Sequence, residues 1–154
     1  MFHVVLYEPE IPPNTGNAIR LCANTGATLH LVRPLGFRMD DRSLRRSGLD
    51  YHDLAHVKVH ADLNECLADL GAARVFAVET GGRRCYSDLQ ARPGDAFVFG
   101  SETRGLPPKV QERIGVENSL FIPMQPECRS INLSNAVAIV AFEAWRQMHY
   151  AGRA

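Results

Sequence analysis

Ala96-Phe97-Val98-Phe99-Gly100-Ser101-Glu102-Thr103-Arg104-Gly105-Leu106 passes from four apolar residues straight into a polar turn bounded by glycines. The apolar part reads as a buried strand, and the polar part falls where a parallel sheet opens into a ligand crevice. The same transition recurs at Leu120-Phe121-Ile122-Pro123-Met124, followed by Arg129-Ser130-Ile131-Asn132-Leu133-Ser134-Asn135-Ala136. A third polar cluster, Asn14-Thr15-Gly16-Asn17-Ala18-Ile19-Arg20, follows the first apolar run, His3 to Tyr7. Polar loops at three strand ends predict one site assembled from distant parts of one domain.

Working outward, the same alternation fills the chain. Asn14 or Thr15 can cap a helix that runs to about Thr25, with Gly26 just past its end. Thr28 to Val32 reads as a strand closed by Pro34, Asp40 to Leu49 as a short charged helix, and Val57 to His60 as a strand. Asp62 caps a helix carrying Leu63, Cys66, Leu67 and Leu70 on one face and stopped by Gly71. Val75 to Val78 is a buried strand with a Gly81-Gly82 turn after it. Pro107-Pro108 suits the first turn of a helix ending at Gly115. Leu120 to Ile122 is the last strand, and Leu133 to about Tyr150 the last helix. The reading is α/β: a single domain over residues 1–154, its mostly parallel sheet covered by helices on both faces, with no added RNA-binding domain.

The last helix is apolar almost all round. Leu133, Val137, Val140, Ala144 and Met148 form one face, and Ile139, Phe142 and Trp145 spread onto another. A helix that only covers a sheet keeps a polar side for water, so a second copy of the chain is expected against this one.

Composition narrows the function classes. The 154 residues carry no formal net charge, which excludes a broadly basic surface but leaves room for local patches. All basic residues except Lys58 and Lys109 are arginine, the better side chain for bidentate phosphate contacts. Cys22, Cys66, Cys85 and Cys128 form no C-x-x-C pair, so neither a zinc site nor a disulfide framework is expected. No apolar run is long enough to span a membrane and no signal-like leader precedes the first strand, which together predict a cytoplasmic protein. His52, His56 and His60 are spaced by four, but the alternation around Lys58 makes a strand there and disperses them, so no metal is expected. Neither G-x-G-x-x-G nor a P-loop follows the first strand.

Several residues stand out for chemistry. Asn17, Arg20 and Asn24 form one polar stripe on the first helix, opposite Ile19, Cys22 and Ala23. That stripe suits a phosphate site, and taken alone it suits a solvated helix face better. Glu102 and Arg104 sit in the glycine-bounded turn, where close backbone approach to a ligand is possible and where a surface ion pair would also fit. Ser130 and Asn132 precede the last helix as caps would, yet the polar run around them exceeds what one cap needs. Arg42, Arg45 and Arg46, with Arg38 nearby, make a basic face suited to a large anionic substrate or to pairing with Asp40, Asp41 and Asp50. Arg83 and Arg84 form a smaller patch.

Taken in order and spacing, the three polar clusters resemble the motifs of the SpoU branch of the SPOUT methyltransferases, over essentially the whole chain. Leu6-Tyr7-Glu8-Pro9-Glu10-Ile11-Pro12-Pro13, Leu44-Arg45-Arg46-Ser47-Gly48-Leu49-Asp50-Tyr51-His52 and Glu143-Ala144-Trp145-Arg146-Gln147 are similar to the minimal members that methylate the tRNA wobble ribose. The resemblance implies a C-terminal trefoil knot, which periodicity cannot reveal, and a homodimer joined through the last helix. It implies S-adenosylmethionine in a pocket lined by Val78, Thr80, Gly100, Glu102, Ile122, Met124, Ser130 and Leu133. It gives Arg20 the activating role, with Asn14, Glu102, Ser130 and Asn132 around it. The implied substrate is the anticodon stem-loop of tRNA, of leucine-type isoacceptors, methylated on the ribose of a wobble cytidine or uridine. Arg20, Arg42, Arg45 and Arg46 are the expected RNA contacts.

The chemistry is attack by a ribose 2′-oxygen on a methyl carbon. The hydroxyl is a weak nucleophile, so in-line positioning and a proton acceptor are needed. Arginine side chains stay protonated at neutral pH. Arg20 is therefore expected to fix a substrate phosphate and stabilise the developing alkoxide, while a phosphate oxygen or a transiently neutral Arg20 takes the proton. Two other readings stand beside this one. Another tRNA or ribosomal RNA ribose would use the same motifs, and a non-catalytic RNA-binding protein of the same fold would have lost Arg20, Glu102 or Asn132.

Overall fold

Short apolar runs become strands, and every strand points the same way. The computed structural model describes residues 1–40, 42–45 and 48–154. Elements follow in the order β1 (His3–Tyr7), α1 (Pro12–Thr25), β2 (Thr28–Val32), α2 (Arg42–Arg45), α3 (Tyr51–Leu54), β3 (Val57–His60), α4 (Leu63–Leu70), β4 (Val75–Val78), β5 (Arg84–Cys85), β6 (Ala96–Phe99), α5 (Pro108–Ile114), β7 (Ser119–Phe121) and α6 (Leu133–Gln147). They build a seven-stranded sheet in the order β3-β2-β1-β6-β4-β7-β5, with all pairs parallel.

Side-chain alternation divides the core between the two faces of this sheet. Val4, Leu6, Leu29, Leu31, Phe97 and Phe99 pack with Ile19 and Cys22 of α1 and Val137, Val140 and Ala144 of α6. Val5, Val32, Ala77 and Val98 point the other way, onto Cys66 and Leu70 of α4 and Val110 of α5. A sheet buried on both sides requires near-continuous apolar strands, which is what the sequence supplies.

The strand order reverses between β1 and β6, and ligand crevices of open α/β sheets form at such a reversal. It also places β7 between β4 and β5, both laid down earlier in the chain. The expected knot depends on this kind of crossing. Contact there is backbone to backbone: a Cβ on Gly82 would stand 2.3 Å from the Leu120 carbonyl carbon, so no side chain fits.

Several boundaries differ from the sequence reading. Helix α1 starts at Pro12 rather than being capped by Asn14 or Thr15, because proline in a first turn forgoes only an N–H that has no helical partner. Asn14 is left free for the site. β7 is shifted one residue earlier than expected, and the two-residue β5 is too short to leave a pattern. Helix α3 also went unread, although Asp50 and Asp53 form a reciprocal capping box there, at 2.9 and 3.1 Å. Helix α6 stops at Gln147 instead of continuing to about Tyr150. His149 and Tyr150 take left-handed φ values of 54° and 53°, which end it.

Candidate cofactor cleft and active site

A cleft of about 620 Å³ opens at the carboxyl ends of β6, β4 and β7, beside the start of α1. Val78, Thr80, Gly100, Glu102, Ile122, Met124, Ser130 and Leu133, the positions expected to bind the cofactor, all line it. So do Asn14 and Asn132.

The loop after β6 folds back on itself. Gly105 N–H donates to the Ser101 carbonyl at 2.9 Å, and a Cβ on Gly100 would lie 2.1 Å from the Gly105 carbonyl carbon. Glycine is obligatory at position 100, which leaves main-chain groups to line the cleft there.

Glu102 is the point where the distant motifs meet. Its carboxylate accepts from Glu10 N–H at 2.7 Å, Ile11 N–H at 3.0 Å and Asn14 Nδ2 at 3.2 Å. Asn14 Oδ1 in turn accepts from Asn132 Nδ2 at 3.0 Å. Asn132 Oδ1 then accepts from Ser134 N–H at 3.0 Å and Ser134 Oγ at 2.7 Å, capping α6. One hydrogen-bonded chain thus ties the loop after β1, the loop after β6 and the start of α6 together. Around it, Thr103 Oγ1 donates to Glu10 at 2.7 Å and Arg104 reaches Glu8 at 3.4 Å. Hydrogen bonding from Thr103, then from Ser101, lowers the Glu10 carboxyl below its usual range.

Arg20 stands apart from this chain. It is exposed on α1, is not among the residues lining the cleft, and donates to the Gly48 carbonyl, with Asp53 Oδ2 4.0 Å away. Asn17 and Asn24 are exposed beside it, so the polar stripe faces outward as expected. Ser130 is exposed at the rim. Arg42 is exposed on α2, and Arg38 pairs with Asp40 at 3.2 Å. Arg46 lies outside the described residues, and Arg45 is described only through its place in α2. The small second patch is split. Arg83 is exposed, whereas the Arg84 guanidinium lies 5.9 Å from the centre of the Phe76 ring.

Two cleft residues escaped the sequence reading. Glu79 follows β4 at the same level as Gly100 follows β6, and burial raises its carboxyl above the usual range. Gln111 of α5 donates through Nε2 to Glu79 Oε2 at 2.6 Å and to the Leu106 carbonyl at 2.9 Å. Glu79 could have been found as the polar residue directly after a buried strand; Gln111 carries no such signal.

The histidines spaced by four are dispersed, His52 on α3 and His60 in β3. His60 instead joins His30 and Cys66, all buried, with potential ligand atoms within 4.8 Å of one another. The ring nitrogens of His30 and His60 are 2.9 Å apart. Their planes differ by 13° and their centroids are 5.2 Å apart, so the rings meet edge to edge through an N–H···N bond. None of the three lines the cleft.

Comparison with known proteins identifies the family. The SpoU rRNA Methylase family profile matches residues 1–142. The chain belongs to that family. Among curated relatives, the tRNA (cytidine(34)-2'-O)-methyltransferase of Burkholderia pseudomallei is 56% identical over 156 residues, covering 100% of both chains. The protein of the same name from Escherichia coli K12 is 51% identical, covering 99% of this chain and 97% of its own. A solved structure addressing the 2-OH methylation of C/U34 on tRNA superposes with a TM-score of 0.90 at 43% identity, with 97% of each chain covered. The fold extends to the SpoU methyltransferase AviRb of Streptomyces viridochromogenes, with a TM-score of 0.84 at 22% identity, covering 96% of this chain and 60% of that one. No helix among the described residues is long and apolar enough to cross a membrane.

Proposed function

We propose that this chain is a tRNA 2′-O-methyltransferase that modifies the ribose of the wobble nucleotide, cytidine or uridine, using S-adenosylmethionine. The observation that carries the reading is the Glu102–Asn14–Asn132 chain, which joins all three family motifs at the edge of a cofactor-sized cleft. Whole-length relatives of that name support the choice of substrate.

The residues present fit the cofactor. A cleft of about 620 Å³ lies within the range that holds small cofactors, and it combines apolar walls with main-chain edges at Gly100. S-adenosylmethionine supplies a methyl group activated by a positively charged sulfur. Val78, Thr80, Gly100, Glu102, Ile122, Met124, Ser130 and Leu133 would hold it.

The chain's own contribution to the chemistry is orientation. Asn14 and Asn132 use both the oxygen and the nitrogen of their amides in the network, and Glu102 already accepts from three N–H groups. These three residues therefore fix the loops in register rather than take the proton. Proton acceptance falls to a substrate phosphate or to a transiently neutral Arg20; in its charged form the guanidinium would exchange the Gly48 carbonyl for the RNA backbone. Arg42, Arg45 and Arg46 would hold the anticodon stem-loop by its phosphates.

The half-exposed apolar residues of α6, with Phe142 44% exposed, support pairing of two copies through this helix. A monomeric mass at micromolar concentration would rule that out. Such an enzyme would work in the cytoplasm, where tRNA is matured.

The decisive test is transfer of labelled methyl from S-adenosylmethionine to tRNA lacking this modification, mapped by nuclease digestion. Label at a wobble 2′-O-methyl nucleotide is expected. Label on ribosomal RNA alone would overturn the substrate and keep the chemistry. Arg20→Ala should abolish single-turnover transfer and leave cofactor affinity intact, and a normal rate would remove Arg20 from the mechanism.

A further inference from the structure

Glu79 lines the same cleft as Asn14 and Asn132 but takes no part in their hydrogen-bonded chain. Asn14 follows β1 and Glu79 follows β4, two strands further along the sheet, or about 10 Å at ordinary strand spacing. The walls near Glu79 are apolar, made by Val78, Phe99, Leu106 and Ile122. A carboxylate in such a place is costly unless it is paired. Gln111 holds Oε2 at 2.6 Å and is itself anchored on the Leu106 carbonyl at 2.9 Å. The other oxygen, Oε1, has no partner among the described residues. An oriented carboxylate with one oxygen open to an apolar-walled cleft calls for a ligand group that donates hydrogen bonds. The donors of a ribonucleoside that fit this description are its vicinal ribose hydroxyls. The carboxylate of an amino-acid tail would be repelled by Glu79 and is better served by the guanidinium groups of Arg104 and Arg129, which also line the cleft.

We infer that Glu79 accepts hydrogen bonds from the ribose hydroxyls of the methyl donor's nucleoside, with Gln111 as its positioning residue, and so selects a ribonucleoside cofactor. This rests on the cofactor reading above. It assigns a binding role to a residue outside the motifs that carry the family resemblance. Burial of the carboxyl, which raises it above its usual range, agrees with a group kept for a ligand rather than for solvent.

Calorimetric titration of the full chain tests it with three probes: S-adenosylhomocysteine, methylthioadenosine, which lacks the amino-acid tail, and S-adenosylhomocysteine lacking the 2′- or 3′-hydroxyl. The wild type should bind the deoxy forms about tenfold or more weakly, a comparison that requires no variant. Glu79→Ala should lose a similar factor for both ribonucleosides and no longer distinguish ribo from deoxy forms. Glu79→Gln, which keeps an acceptor without the charge, should fall between. Gln111→Leu should show a smaller loss that likewise vanishes with the deoxy forms, an effect that general loosening of the fold would not produce. Equal affinity of wild type and Glu79→Ala for methylthioadenosine would overturn the inference, including the case where only S-adenosylhomocysteine is weakened, which would put Glu79 against the ammonium group. A wild type that binds none of the probes would instead overturn the cofactor reading on which the inference rests.

Discussion

Acidification should destabilise this fold through His30 well before the carboxylates are protonated. His30 is fully buried in β2, with its Nε2 3.0 Å from His3 Nδ1 and its Nδ1 2.9 Å from His60 Nε2. Burial, and then the neighbouring His3 and His60, lower it from the ordinary 6.5 to about 4, while Asp69, 3.7 Å away, opposes the shift and Lys58 adds to it. The native value is below the unfolded one, so the unfolded chain takes up the proton first. Stability is therefore complete above about pH 6.5 and is lost as pH falls towards 4. Linkage between 6.5 and about 4 gives a loss of about 2.5 kcal/mol between about pH 7.5 and 4.5, with a slope near 1.2 kcal/mol per pH unit around pH 5. This is a large share of the ~5–15 kcal/mol that holds a typical domain together. Urea unfolding followed by circular dichroism across this range would measure it, with His30→Asn as the non-titrating control. The control should be less stable at neutral pH but show a slope shallower by about 1 kcal/mol per pH unit. Parallel pH profiles in the two proteins would refute the argument, because His3, His60 and Asp69 are common to both.

Three further outcomes can be measured. Glu102→Ala leaves the Glu10 and Ile11 N–H groups and the Asn14 amide without their acceptor; a loss of about 1–3 kcal/mol in chemical denaturation is expected, with methyl transfer falling further than cofactor affinity. Gly100→Ala would put a Cβ 2.1 Å from the Gly105 carbonyl carbon, so the β6 loop must shift; cofactor binding measured by calorimetry should be lost, with at least about 1–3 kcal/mol of stability. Replacing Arg42, Arg45 and Arg46 together by alanine should weaken tRNA binding and flatten its salt dependence while sparing cofactor affinity, and unchanged filter-binding curves would discard this surface.

Strands and helices were legible in the sequence because their signals are local. A run such as Ala96 to Phe99 has no polar residue to face water, and Asp62 and Gly71 punctuate α4 through contacts with their immediate neighbours. The parallel sheet and the three polar loops could be read for the same reason; the eight expected cofactor positions came from the family resemblance, and all of them line the cleft. β5 and α3 were not read, since two or four residues are too few to establish a period.

Tertiary structure alone decided who meets whom. Glu102 and Asn14 are 88 positions apart, and Asn14 and Asn132 are 118 apart. Neither pairing follows from local propensity, because each depends on β1 and β6 lying side by side at the sheet's point of reversal. The same holds for His3, His30 and His60, brought into one row by the register of three strands, and for Gln111 on Glu79. Arg20 shows the limit most clearly. Sequence placed it on the polar face of α1, but only the packing of α1 against the segment around Gly48 determined that its guanidinium meets the Gly48 carbonyl and is not among the groups lining the cleft. Local sequence fixes backbone preference and the facing of side chains; long-range contacts are set by the one arrangement of the sheet that buries both of its apolar faces at once.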